Sequence, residues 1–299
     1  MAYLDSSTES WVLASTKPAD SVDVLKGSIS SSEYTHFCSF LEKNSGIVLG
    51  QNKEYLVTNR LRVILEDGGF KSLGELLGVI ESRGKSTLYT KVIDAMTTNE
   101  TLWFRDKHPF EILRDVILPE LSSSSAHQLR IWSAASSTGQ EAYSISITIN
   151  EFLQKKSGSL PKNVEIVATD ISQNALQHAK EGIYDPYEVT RGLSENHQRQ
   201  YFDREGQQLR LKPEIKQSVR FQQLNLLESY SGLGNFDVIF CRNVLIYFSD
   251  KIKSEILSRM AKALKPGGYL FLGGSEPIAN YSDQFEMVRC KQGVVYRSK

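Results

Sequence analysis

The run Phe236-Asp237-Val238-Ile239-Phe240-Cys241 passes without a break into Arg242-Asn243-Val244-Leu245-Ile246-Tyr247-Phe248. A stretch so rich in β-branched and aromatic residues reads as a central strand of a parallel sheet, buried on both faces. In open α/β sheets ligands bind beyond the carboxyl ends of such strands. A guanidinium, an amide and a phenol placed there predict a site at Cys241 to Tyr247.

Two further strand ends supply matching parts. Leu129-Arg130-Ile131-Trp132 opens into Ser133-Ala134-Ala135-Ser136-Ser137-Thr138-Gly139-Gln140-Glu141, and helical spacing resumes at Ala142. Small side chains let the backbone approach a ligand, and the free N–H groups of the helix start favour anions or polar groups. The next strand, Val164 to Thr169, ends at Asp170, a carboxylate placed to accept hydrogen bonds from ribose hydroxyls. An acid at that place marks an adenosine site. Neither Gly-x-Gly-x-x-Gly nor Gly-x-x-x-x-Gly-Lys-Ser/Thr occurs, so the dinucleotide and P-loop signatures are missing. Glu141 would repel a pyrophosphate and pair with a cationic amino acid. That favours S-adenosylmethionine, which carries an ammonium and a sulfonium and no phosphate.

Composition narrows the function classes. The 35 basic and 35 acidic residues cancel, which argues against a general nucleic-acid binder. No apolar run is long enough to span a bilayer, and Asp5 and Glu9 precede the first lysine, Lys17, where a secretory signal would be basic. Cys38, Cys241 and Cys290 form no close pair, which suits a reducing compartment, and the five histidines make no metal-ligand spacing. A cytoplasmic enzyme without a metal, inserting into no membrane and binding no nucleic acid, is expected. Nothing signals a coiled coil, and a monomer is expected.

Residues 1–30 are Ser-rich and read as a disordered tail, with Trp11, Val12 and Leu13 as a small apolar exception. Residues 31–96 carry helical spacing broken by Asn44-Ser45-Gly46, Asp67-Gly68-Gly69 and Arg83-Gly84-Lys85, a small all-α domain. Within it Lys53 and Arg60 lie seven apart on one helix, and an outward pair of cations would dock an acidic partner. Residues 97–118 form a linker. Burial of Trp103 and Phe104 would aim Asn99, Thr101 and Arg105 at a cleft. From 119 to 299 the sheet domain follows. Val219 to Leu224 leads into Asn225-Leu226, groups suited to framing an adenine. A helix near Lys251 to Leu264 is followed by a sharp Lys265-Pro266-Gly267-Gly268 turn, a strand at Tyr269 to Leu272, a hairpin-like return over 280–288, and an antiparallel strand near Gly293 to Tyr296.

Thr97-Thr98-Asn99-Glu100-Thr101-Leu102-Trp103-Phe104-Arg105, the Trp132 to Ser144 loop and helix start, Cys241 to Phe248, and Leu264-Lys265-Pro266-Gly267-Gly268 resemble the motifs of the CheR-type chemotaxis receptor methyltransferases. The resemblance runs from about Ser32 to Ser298. It implies an α/β fold, a Rossmann-like S-adenosylmethionine-dependent methyltransferase sheet with a small β-subdomain, preceded by a small all-α domain. The implied activity is transfer of the methyl of S-adenosylmethionine to glutamate side chains of chemoreceptor cytoplasmic helices, leaving S-adenosylhomocysteine. Carried over by motif, Asn99, Thr101, Arg105, Glu141, Asp170, Asn225, Leu226, Arg242 and Asn243 would line the cofactor, with Arg105 and Tyr247 beside the reacting groups. The resemblance also gives Lys53 and Arg60 a reason to face a receptor helix bundle. A β-subdomain is expected at about 200–220. Its short turn, Asp203 to Gln208, points to a member that needs no receptor tether peptide. Two other classes share the core: a methyltransferase for a small molecule or a different macromolecule, and a module that senses S-adenosylmethionine without turning it over.

Overall fold

A computed structural model of the chain describes residues 29–122, 128–155, 160–161 and 163–299. The expected tail lies outside these residues apart from Ile29 and Ser30.

Four helices open the described chain: α1 (Ser31–Ser45), α2 (Glu54–Gly68), α3 (Leu73–Arg83) and α4 (Thr87–Met96). Ser30, Ser72 and Ser86 each accept a hydrogen bond from the backbone N–H three residues on, satisfying donors that a helix start leaves free. Glu33 completes a capping box with Ser30. The apolar faces of the four helices bury Phe37, Leu41, Val57, Leu61, Leu76, Leu77 and Val92 in one core. Their burial supplies the main driving force for this small unit.

After the 97–107 linker, α5 (His108–Ile112) runs through a π-turn at Leu113–Ile117 into α6 (Leu118–Ser122). The alternating part follows as β1 (Gln128–Ala134), α7 (Gln140–Lys155), β2 (Asn163–Asp170) and α8 (Gln173–Glu181). A smaller unit comes next: β3 (Ile183–Tyr184), α9 (Pro186–Thr190), α10 (Glu195–Tyr201), β4 (Phe202–Glu205), β5 (Gln208–Leu211) and α11 (Pro213–Lys216). The chain then returns through β6 (Val219–Gln223), β7 (Phe236–Cys241), α12 (Asp250–Ala263), β8 (Leu264–Leu272), β9 (Phe285–Arg289) and β10 (Val294–Ser298).

Seven strands make one sheet in the order β6-β2-β1-β7-β8-β10-β9, parallel from β6 through β8 and antiparallel at β10 and β9. The chain builds outward on one side of β1 with β2 and β6, then crosses to the other side with β7 and β8. The order therefore reverses between β1 and β7, which opens a crevice at their carboxyl ends. Ala134 stands level there with both Thr169 and Cys241.

The second sheet, β3-β5-β4, is antiparallel. β4 and β5 form the hairpin expected near 200–220, joined by Gly206-Gln207, while β3 comes from a two-residue strand with too little pattern to read. Trp103 of the linker is fully buried in the core of this unit, edge-on to Tyr184 and Phe202. Gly192 makes that docking possible. With φ at +110° and a Cβ position only 1.9 Å from the Trp103 carbonyl oxygen, no other residue fits.

Two expectations for the C-terminal part need correction. Lys265 to Gly268 does not turn the chain; it bulges within β8 while the ladder steps from Phe236–Leu264 to Val238–Tyr269. The hairpin-like return expected over 280–288 carries a strand that the sequence pattern did not show, the edge strand β9, paired antiparallel along its length with β10. Among the described residues no helix is long and apolar enough to cross a membrane.

Candidate active site

Three loops meet at the crevice. The first follows β1, where Ala135 (φ 56°) and Ser137 (φ 51°) take left-handed backbone conformations that side chains rarely adopt. This sharp path turns the Ser137 N–H onto Asp170 Oδ2 at 2.8 Å, and the Ser137 hydroxyl donates to the Asn99 carbonyl at 2.8 Å. Ser172 N–H holds the other oxygen, Asp170 Oδ1, at 2.9 Å. Asp170 is buried. Burial pushes its carboxyl above the usual range, and the backbone N–H donors work against that. The backbone N–H groups of Ser137, Ile171 and Ser172 do not exhaust the lone pairs of the carboxylate, which keeps capacity for a ligand hydroxyl.

The second loop follows β7. Arg242 is 1% exposed along its side chain and donates to Glu141 Oε2 at 3.0 Å, to Asp106 Oδ2 at 2.7 Å and to the Arg105 carbonyl at 2.8 Å. One guanidinium thus fastens the end of β7 to the first turn of α7 and to the linker. Glu141 Oε1 accepts from the Ser133 hydroxyl at 2.8 Å. Burial raises the Glu141 pKa, with Arg242 and Ser133 opposing it. Glu141 is therefore not a lone carboxylate awaiting a ligand cation; it already shares its charge with Arg242.

The third is the linker. Phe104 (φ 48°), Asp106 (φ 65°) and Lys107 (φ 50°) are all left-handed and bracket Arg105. Such residues cost on the order of 1–3 kcal/mol each and persist only where their surroundings over-determine them. Trp103 below and Arg242 behind do so here.

The helical domain closes the remaining side. The Val48 N–H donates to the Tyr247 carbonyl at 2.9 Å, and Asn225 Nδ2 donates to the Asn44 carbonyl at 2.7 Å. Gly46 lies against the Phe248 ring. Arg60 does not pair with Lys53 on an outward face. Its guanidinium turns inward to the carbonyls of Met96 (2.7 Å) and Thr97 (2.8 Å) and to the Thr98 hydroxyl (2.9 Å). The unsatisfied carbonyls at the end of α4 attract it, a non-local cap that seven-residue spacing could not reveal. Lys53 stays exposed at the start of α2, 5.8 Å from the Tyr55 ring centre.

Asn99, Thr101, Arg105, Glu141, Asp170, Asn225, Leu226, Arg242, Asn243 and Tyr247 all open onto this one cleft, and Lys53 does not. Wall residues missed in the sequence include Ile47, Val48 and Leu49 of the α1–α2 loop, and Ile171; Arg60, expected on an outward docking face, also stands on the wall. The helical domain's share had no local signal. Three buried polar atoms on the wall have no protein partner among the described residues: Ser136 Oγ, Arg242 Nε and Asn243 Oδ1. Buried polar groups are seldom left unpaired, so the wall fits a ligand with both donors and acceptors. Leu226, Val244 and Phe248 add an apolar side suited to a purine. Among the described residues no cluster of His, Cys, Asp and Glu could hold a metal ion.

Comparison with known proteins identifies that ligand. Residues 99–294 match the family model for the CheR methyltransferase, SAM binding domain, and residues 32–97 match the CheR methyltransferase, all-alpha domain. The chain is 52% identical over 274 residues to chemotaxis protein methyltransferase 1 of Pseudomonas aeruginosa, covering 91% of this chain and 100% of that one. It is 49% identical over 272 residues to chemotaxis protein methyltransferase 1 of Vibrio cholerae (91% and 98%) and 36% identical over 265 residues to the chemotaxis protein methyltransferase of Escherichia coli (87% and 89%). Overlap with solved structures, such as a magnesium protoporphyrin IX methyltransferase of Synechocystis with S-adenosylmethionine bound (TM-score 0.36, 13% identity, 75% of this chain and 96% of that one), is too slight to argue from. With both domains matched in order and relatives aligned over nearly their whole length, the chain belongs to the CheR methyltransferase family and is an S-adenosylmethionine-dependent methyltransferase.

Proposed function

We propose that the enzyme methylates glutamate side chains on the cytoplasmic helices of chemoreceptors. The observation that carries this reading is the arrangement at the cleft mouth. Arg105 and Tyr247 lie on the wall between the helical domain and the sheet, and the Tyr247 hydroxyl makes no hydrogen bond among the described residues. A cation and a free phenol suit an incoming carboxylate.

S-adenosylmethionine supplies the methyl group, on a sulfonium that makes it electrophilic. Asp170 would hold its ribose, Asn225 and Leu226 its adenine, and Glu141, Arg242 and Asn243, with Asn99 and Thr101, its amino-acid portion. A glutamate carboxylate is ionised at neutral pH and needs no general base. The work left to the protein is placement, which can lower a barrier by about 7–11 kcal/mol. Arg105 and Tyr247 would orient the carboxylate in line with the methyl. Too tight an ion pair would stabilise the ground state instead, and a partly exposed Arg105 avoids that.

Chemotaxis methyltransferases are the relatives of this chain, which supports a receptor as acceptor. Lys53 and Tyr55, exposed at the start of α2, offer a contact surface for an acidic helix. The β4–β5 hairpin turns in two residues, Gly206-Gln207, with Arg210 paired to Glu205 across it. So short a turn favours an enzyme that acts without gripping a tether peptide.

The test is transfer of radiolabelled methyl from S-adenosylmethionine to membranes carrying the organism's own chemoreceptors, followed by mild base. Volatile, base-labile label on the receptor band supports a glutamyl methyl ester. Cofactor binding with no label on the receptor refutes the assignment.

A further inference from the structure

Glu276 lies beyond the end of β8, outside the cleft wall, and is only 6% exposed. Its carboxylate serves the neighbouring loop. Oε2 accepts from the Asn243 N–H at 2.7 Å and from the Gly273 N–H at 2.7 Å, while Oε1 accepts from the Ile246 N–H at 3.3 Å. Among the described residues it forms no ion pair. A buried carboxylate held only by backbone N–H groups is costly to keep, so packing alone is a poor reason for it.

What it holds is informative. Asn243 is left-handed at φ 58°, and its Oδ1 is one of the buried unpartnered atoms of the cleft. Tyr247 ends the single 3-10 turn, Leu245–Tyr247, that contains Ile246. One carboxylate therefore grips the loop at Asn243 and at the residue before Tyr247, and pins it to the end of the adjacent strand. Gly273 is part of the device: a Cβ there would stand 2.5 Å from Glu276 Oε2 and 3.0 Å from the Asn243 N.

We propose that Glu276 is a positioning residue for methyl transfer, setting Asn243 against the cofactor and Tyr247 against the acceptor; the Tyr247 half rests on the function proposed above. It touches neither substrate. Glu276→Gln keeps the shape but turns an N–H₂ toward backbone N–H groups, so at least one of the three bonds is lost.

S-adenosylhomocysteine binding is measured by calorimetry at 15 °C, with no acceptor present, on the full-length wild type, Glu276→Ala and Glu276→Gln. We expect Glu276→Ala, which loses the Asn243 bond with the other two, to bind about tenfold more weakly, the scale of one misplaced hydrogen bond, and Glu276→Gln, whose amide oxygen can take the place of Oε2 and keep Asn243, to lose less. A wild-type Kd in folded Glu276→Ala overturns the proposal. Turnover is then compared in a double-mutant cycle with Tyr247→Phe. If Glu276 acts through Tyr247, its substitution costs much less in the Phe background; independent effects overturn that half. Should neither variant fold, amide exchange of the ligand-free wild type decides. Asn243 and Ile246 protected as strongly as the end of β8 support the clamp, and rapid exchange at both refutes it. A wild type that binds S-adenosylhomocysteine but labels no receptor refutes the acceptor assignment and leaves the Glu276–Asn243 contact standing.

Discussion

Removing the Arg242 guanidinium should destabilise the fold before it is read as a loss of chemistry. Of its three partners, Asp106 is 42% exposed and can turn to water, and the Arg105 carbonyl can be hydrated, so neither counts for much. Glu141 is different: its side chain is 12% exposed and would keep only the hydrogen bond from Ser133, with Arg105 as its remaining nearby cation. Breaking a buried pair by deleting one partner costs about 3–5 kcal/mol, and with two of the three partners discounted the lower end applies to Arg242→Ala. At roughly 2–4 °C per kcal/mol for a domain of this size, that is a fall of about 6–12 °C in the unfolding midpoint. The pH dependence carries the sharper test. The folded-state pKa of Glu141 is already raised above the ordinary 4.5 by burial, with Arg242 opposing, and without Arg242 it rises further. A carboxyl with a raised folded pKa favours the fold fully below its unfolded value and loses that contribution as pH climbs through the folded one. The deficit of Arg242→Ala should therefore be largest at pH 7.5 and shrink toward pH 5, and adding Glu141→Gln should recover part of it at pH 7.5. Differential scanning calorimetry at both pH values reads all three. A midpoint within 2 °C of wild type at pH 7.5, or a deficit that does not change with pH, would refute the reasoning.

Arg105→Ala should lower turnover roughly a hundredfold, the scale for losing one positioned polar group; near-normal label incorporation would remove Arg105 from the mechanism. Gly192→Ala forces a Cβ into the Trp103 carbonyl at φ +110° and should cost at least about 1–3 kcal/mol in urea unfolding. An unchanged midpoint would mean that Trp103 docks otherwise. Thr169→Val takes the acceptor from the fully buried Trp132 indole, now 2.9 Å from Thr169 Oγ1, and should cost about 1–3 kcal/mol by the same measurement.

The parts of the site that follow a strand within a few residues were legible in the sequence, because a buried strand ending in polar residues is a local signal. Asp170, Glu141 and the Arg242 to Tyr247 run fall in that class, and Trp103, which follows no strand, stood out as a large aromatic in a polar linker. What stayed hidden depends on contacts between distant segments. Arg60 finds the end of α4, 36 residues on at Met96; Arg242 joins Glu141 across 101 residues; Asn225 reaches Asn44 across 181. None leaves a periodic trace. β3 and β9 were missed for a related reason. A two-residue strand has no period, and on β9 only Phe285 is buried.

The proposed transfer to an ionised carboxylate would account for where the backbone strain sits. Among the described residues, three of the seven non-glycine left-handed residues line the cleft, Ala135 and Ser137 after β1 and Asn243 after β7, and three more, Phe104, Asp106 and Lys107, bracket Arg105 on its wall. A reaction that needs a general base is governed by the pKa of that base. Transfer to a carboxylate that is already ionised is governed by how closely two groups are held in line. Selection on such a site acts on rigidity, and rigid irregular backbone must be secured from behind. Trp103 in the core of the small sheet, Arg242 across three elements and Glu276 beneath the β7 loop each secure one of these segments and bring no group of their own to the acceptor. It follows that substitutions at these three positions should reduce turnover through placement. The acceptor's pH dependence should then stay as it is in the wild type while the rate falls.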